Sequence, residues 1–179
     1  GANTIAAVGG GASDAAGAAI EVVVMSVRSH DRYEEALTMI KSMVLHRRRR
    51  AMDGLRLNIN VVTDAPGRRF FGEAARAIER RRDDVRVVLH DFTYACAAPV
   101  DAFLREFNFR LTAHYSGRAG FCRLFFPDTL PATLDAAIAL ESDQLFFRDV
   151  GELWHEFKSW SPTQAIGIPE LYKPWRAAR

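Results

Sequence analysis

Glu141, Ser142 and Asp143 bring two carboxylates to one short turn, between the apolar run 134–140 and a second apolar stretch ending at Phe147. Side chains two apart in an extended segment share a face. Glu141 and Asp143 would therefore present two hard oxygen ligands to one point, where without a cation they would repel. Oxygen donors suit Mg2+, Mn2+ or Ca2+, and Mg2+ in particular is shared between one or two carboxylates and the phosphates of a substrate. The chemistry predicted is metal-assisted handling of a nucleotide diphosphate. A solvated turn offers the same acidic pair, since acidic residues are mostly exposed, so the surroundings must decide.

Those surroundings alternate strands with helices. Residues 20–26 form a short β-branched run that reads as a buried strand. Tyr33, Ala36, Leu37, Ile40, Met43 and Val44 then recur at helical spacing, with Glu34 and Glu35 in the first turn and arginines after the last, as a helix dipole favours. Residues 55–63 predict a second strand, ended by turn chemistry at 64–67. A helix follows through Phe71, Ala74, Ala75 and Ile78, and residues 85–89 form a third strand with His90 and Asp91 at its C-terminal end. Residues 92–99 read as irregular, before a short helix face of Val100, Phe103, Leu104 and Phe107. A helix packing through Phe121, Leu124 and Phe125 comes next. Asp149, with Glu152 three positions on, has the spacing of a capping box, and residues 164–168 suggest one more short strand.

This order predicts an α/β fold with a mostly parallel sheet covered by helices on both faces, in which ligands sit beyond the C-terminal strand ends. Arg28, Asp64, Asp91 and Asp143 then share one edge. Residues 1–18, rich in Gly and Ala, read as a flexible leader without packed structure, and residues 19–179 as one domain.

Composition narrows the function. A chain of 179 residues with a formal net charge of +2 is long enough to bury a core, and nearly balanced. The basic runs at 46–50 and 79–82 read as solvated helix ends; neither base-stacking aromatics nor a recognised module accompanies them, which argues against a nucleic-acid role. Cys96 and Cys122 lack metal-ligand spacing and define no disulfide framework. No apolar run reaches the length of a membrane span, so any anchor would lie outside this chain.

Residues 141–154, with their acidic triplet, apolar pair and Glu152-Leu153-Trp154 helix, resemble the family 8 glycosyltransferases and their D-x-D motif. His114 to Gly117, Arg123 and residues 130–134 are most similar to the LARGE-type xylosyl- and glucuronyltransferase branch. The resemblance spans about residues 20–170. It implies a GT-A, Rossmann-like nucleotide-diphospho-sugar transferase fold, a UDP-sugar donor, a glycan or glycoprotein acceptor, a Mn2+ or Mg2+ cofactor, retention of anomeric configuration and a Golgi-lumenal location. By the same resemblance Glu141 and Asp143 take the metal-ligand positions and Ser142 approaches the ribose. Arg123 reaches the diphosphate, Arg28 and Ser29 lie where uracil and ribose are held, and His114 lines the donor pocket. No catalytic residue is assigned.

Two departures accompany the resemblance. Glu141 stands where the family has Asp, displacing a carboxylate by one methylene. The family's later segment, whose histidine completes the metal shell, is not found before Arg179; Lys173, Pro174 and Trp175 echo its end but come too soon. The expectation is the donor-binding half of a transferase, with the acceptor half absent. The alternative is a non-catalytic pseudo-glycosyltransferase that retains the fold around a degenerate acidic motif.

Overall fold

The computed structural model describes residues 6–9, 19–48, 54–108, 117–131, 134, 136–161 and 163–168. The β-branched run after residue 18 forms β2 (Ala19–Ser26), which leads through α1 (His30–His46) to β3 (Arg56–Thr63), and through α2 (Ala65–Glu79) to β4 (Val85–Asp91). Both pairings are parallel and in register, so that Ser26, Thr63 and Asp91 lie level at the strand ends. On the other side of β2, β5 (Ala136–Leu140) pairs in parallel, with Val24 opposite Leu140.

Two antiparallel strands extend the sheet beyond β5. They are β1 (Ala6–Gly9) and β6 (Ile166–Gly167), giving the order β4-β3-β2-β5-β1-β6. The leader reading of residues 1–18 is corrected here: Ala6–Gly9 pairs with residues 136–139. Small side chains lower strand propensity, but the free edge of β5 supplies a partner for their backbone groups, and that pairing overrides propensity. The rest of the leader lies outside the described residues.

Alternation along the strands sorts two cores. Ile20, Val22 and Val24 of β2, with Leu57, Ile59 and Val61 of β3, face α1, α2 and α6 (Val150–Trp154). Val23, Val62, Ala137 and Ala139 face the segments between β4 and β5. Those segments are more helical than expected. Residues 93–97 wind as a π-turn into α3 (Ala98–Glu106), and α4 (Gly117–Cys122) continues through a 3-10 turn into α5 (Phe126–Thr129). The expected irregularity at 92–99 gives way because Ala95, Cys96 and Val100 bury one face of that winding. Phe121 and Phe125 pack on Phe103, while Leu124, expected inward, is exposed.

Cys96 and Cys122 form a disulfide, with Cα atoms 5.0 Å apart, joining the π-turn to α4. No spacing rule shows this pairing, because the fold, not the sequence interval, brings the two thiols together.

One arginine in each basic run departs from the solvated reading, while Arg48, Arg80 and Arg81 are exposed as expected and Arg49 and Arg50 lie outside the described residues. The Arg47 side chain is fully buried and forms an ion pair of 2.9 Å with Asp149. Asp149 also accepts from the Arg48 amide and, as the N-cap of α6, from the Gly151 amide. Arg82 donates to the carbonyls of Val44 and Arg47 and pairs with Asp84. Both arginines thus satisfy or neutralise groups around the end of α1 instead of standing in solvent. Only the N-cap half of the expected capping box forms, because Glu152 turns outward to Arg48 and Arg148.

Removing one member of a buried pair leaves the other charge without compensation. Asp149→Ala should cost about 3–5 kcal/mol in urea unfolding. Glu152→Ala, whose pairs are exposed, should cost less than about 1 kcal/mol.

Candidate functional site

In a parallel sheet the crevice lies where successive connections leave a strand in opposite directions, beyond the C-terminal strand ends. That point falls between β2 and β5: the chain moves outward from β2 to β3 and β4, then returns to β5 on the other side. Residues 27–29 follow β2 and residues 141–143 follow β5, so the two predicted groups of site residues follow adjacent strand ends at that switch point.

The β2 side is tightly specified. Ser29 is the N-cap of α1, accepting from the Arg32 amide, and the Ser26 hydroxyl donates to the Arg32 carbonyl. Arg28 adopts φ 86°, a left-handed backbone that residues with a Cβ enter at a cost. Its amide donates to Asp64 Oδ2 at 2.9 Å. Asp64 Oδ1 accepts from the Tyr33 hydroxyl at 2.6 Å and from the Gly67 amide at 3.1 Å, the latter capping α2. Gly67 permits this convergence, since a Cβ there would collide with Thr63 Oγ1 and press on Tyr33 and Asp64.

The charge states follow. Burial opposes ionisation of Asp64, but the hydrogen bonds from Tyr33, Arg28 and Gly67 outweigh it and hold its carboxyl below the usual range. Burial, followed by the hydrogen bond to the Asp64 carboxylate, pushes the Tyr33 phenol up to about 12.

On the β5 side, Arg123 Nη2 lies 2.5 Å from Glu141 Oε2, with both side chains partly buried. The structure thus brings the predicted diphosphate-binding cation and one predicted metal ligand into contact. Ser142, expected near a ribose, has its hydroxyl 3.2 Å from Glu35 Oε2, and Glu35 also pairs with Arg32 at 2.9 Å. This links the 141–143 turn to the second turn of α1, which starts earlier than the sequence suggested, at His30. Asp143 is exposed on the same turn, and His114 lies outside the described residues.

Sequence reasoning missed Glu35, which it treated as a complement to the helix dipole; its partner Ser142 is supplied by the fold. Asp64 carried a legible signal as an N-cap with Pro66 at the second helical position, but its bond to Arg28 did not.

The donor set fits a divalent ion in part. Glu141 and Asp143 supply two carboxylates on one turn, and a metal shared with a diphosphate needs only one or two. Among the described residues no three potential ligands converge, so phosphate and water oxygens would complete the shell. Arg123 does not block this, because a guanidinium has five N–H donors and can serve Glu141 and a phosphate together.

No family model matches the chain. It is 30% identical over 153 residues to xylosyl- and glucuronyltransferase LARGE2 of Homo sapiens, and 29% identical over 141 residues to LARGE1 of Homo sapiens. These alignments cover 86% and 79% of this chain but 19% and 16% of those proteins, so it spans less than a fifth of the curated relatives it matches. Among solved structures, mouse xyloside xylosyltransferase 1 in its apo form superposes with a TM-score of 0.58 at 20% identity, covering 80% of this chain and 49% of that one. The WbbM bifunctional glycosyltransferase gives 0.51 at 19% identity, covering 80% and 22%. The GT-A fold is thereby shown, and the resemblance to the LARGE-type branch is borne out.

A tyrosine raised from 10.0 to about 12 adds stability that is complete below about pH 10 and lost as pH rises through about 12. Wild type should therefore lose more stability than Tyr33→Phe across that interval, measured as urea midpoints at successive pH values. Parallel curves would show that the phenol does not sense the Asp64 carboxylate.

Proposed function

We propose that this chain, similar over most of its length to LARGE-type xylosyl- and glucuronyltransferases, is the donor-binding part of a glycosyltransferase that takes its sugar from UDP-sugar. The observation that carries the reading is the meeting of Arg123 with Glu141 beside Asp143, at the switch point between β2 and β5. Position and chemistry agree there, since ligands collect at the switch point by topology, and Arg123 together with a divalent ion on the two carboxylates would match a diphosphate by charge.

In this reading the 27–29 loop borders the nucleoside, and the 141–143 turn borders the diphosphate. When the bond between the sugar's anomeric carbon and the β-phosphate oxygen breaks, negative charge develops on UDP. Arg123 stabilises that charge by hydrogen bonds whose strength rises with it. A bound Mn2+ or Mg2+, held by Glu141 and Asp143, would supply further charge compensation as a Lewis acid. The acceptor is a glycan or glycoprotein hydroxyl, and retention at the anomeric centre comes with the family resemblance. The Cys96–Cys122 disulfide favours an oxidising compartment, in keeping with a lumenal place in the secretory pathway.

A non-catalytic reading has one observation in its favour: the longer Glu141 carboxylate is already engaged by Arg123. Calorimetry with UDP and Mn2+ tests the donor assignment. Wild type should bind UDP with a Mn2+-dependent heat, and Asp143→Ala should lose most of that dependence. Arg123→Gln should weaken UDP by about tenfold to a hundredfold, the range for a lost charge-assisted hydrogen bond. Equal heats from all three proteins would remove the assignment. UDP binding that ignores Mn2+ and Asp143, yet still falls in Arg123→Gln, would favour the non-catalytic form.

A further inference from the structure

We propose that Asp64 is a positioning residue for the donor crevice: its carboxylate locks the Arg28 backbone in a left-handed turn and so sets the shape of the 27–29 loop. The proposal rests on the donor-crevice reading above for its functional consequence, but its geometry stands independently. Asp64 lies at the tip of β3, whereas the loop it holds belongs to β2, and 36 residues separate it from Arg28.

Three donors converge on this carboxylate, and each comes from a different place. The Arg28 amide comes from the loop, the Tyr33 hydroxyl from α1 and the Gly67 amide from α2. A left-handed backbone at a residue with a Cβ persists where surrounding contacts over-determine it. Here the over-determination is visible. Oδ2 takes the Arg28 amide, and Oδ1 is fixed by two donors that cannot move without shifting a helix. Thr63 adds a second tie between the same strand tips, donating from Oγ1 to the Ser26 carbonyl at 2.6 Å. The loop is thus held from β3, while the Arg28 side chain remains exposed. Without Oδ2, nothing in this set holds the Arg28 amide, and the residue would relax to negative φ, turning both the amide and the direction of the Arg28 side chain.

Asp64→Asn separates this role from helix capping. Asn is as good an N-cap as Asp, so its oxygen can keep the Gly67 and Tyr33 contacts. Its NH2 group then faces the Arg28 amide, donor against donor. In the full chain, amide hydrogen exchange at Arg28 should accelerate at least tenfold in Asp64→Asn, and UDP affinity should fall about tenfold with little change in Tm. Glycine enters the left-handed region freely. Against an Arg28→Gly background, the same Asp64→Asn change should alter UDP affinity by less than about threefold, the non-additivity expected of coupled residues. Unchanged exchange at Arg28, or an equal loss of affinity in both backgrounds, would overturn the positioning role. Absence of UDP binding by wild type would instead remove the donor reading, and the exchange comparison would still decide whether Asp64 clamps the loop.

Discussion

Parallel pairing of β2 on both of its sides is the constraint from which the site follows. A strand paired with β3 and β5 can be reached only by long connections, and here those connections depart in opposite senses. The α1 connection covers one face of the sheet, and the described segments 93–106 and 117–130 help cover the other. Connections that leave in opposite senses part at the β2 and β5 tips, the place where folds of this kind collect their ligands. Arg28 follows the first of these strand ends, and Glu141 and Asp143 follow the second.

Fixing that crevice takes more than sheet pairing, because α1 must also be held at both ends. At its start, Ser29 caps the helix, Tyr33 reaches Asp64 and Glu35 reaches Ser142. At its end, Arg47 is buried against Asp149, so the helix is tied to the segment that leaves the acidic turn. Residues 141–149 are therefore bracketed by contacts to Glu35 in the second turn of α1 and to the residue after its last. A shift of α1 along its axis would have to break both. Phe146 adds a contact midway, its amide donating to Ser42 Oγ at 3.0 Å. The acidic turn thus depends on α1 as much as on its own strand.

Much of this was legible in the sequence where a local pattern carried it. The β-branched run of β2, the helical spacing in α1 and α2, and the alternation in β3 are consequences of burial, and burial leaves a period. The position of Glu141, Ser142 and Asp143 at a strand end was likewise readable. What escaped had partners distant in sequence. Asn58 and Asn60 alternate with Leu57, Ile59 and Val61, a pattern that by itself points them outward, yet Asn60 is buried and both amides donate to Glu21. Arg47 was indistinguishable from its neighbours in an arginine run, although its side chain pairs with Asp149 in the interior. Ala6–Gly9 has no apolar pattern and becomes a strand only because β5 offers an edge. The Cys96–Cys122 pairing belongs with these, since two cysteines 26 residues apart say nothing about proximity until α4 is placed.

The Glu141 side chain joins these threads. An acid at this position must avoid an uncompensated charge beside Asp143, and two routes are open: a cation shared with a ligand, or a protein cation. Arg123 provides the second route within the fold, from a helical segment held by the disulfide one residue earlier. The longer side chain gives Glu141 more reach than Asp would have, enough to meet the Arg123 guanidinium. A phosphate arriving there would meet an arginine already aligned by a carboxylate, so part of the entropy of fixing that long side chain is spent before the ligand binds. The same contact lowers the positive potential seen by the phosphate. Pre-alignment therefore favours selectivity in direction over strength of attraction, and the extra methylene at 141 is consistent with the arrangement around Arg123 without requiring that the acidic turn has decayed.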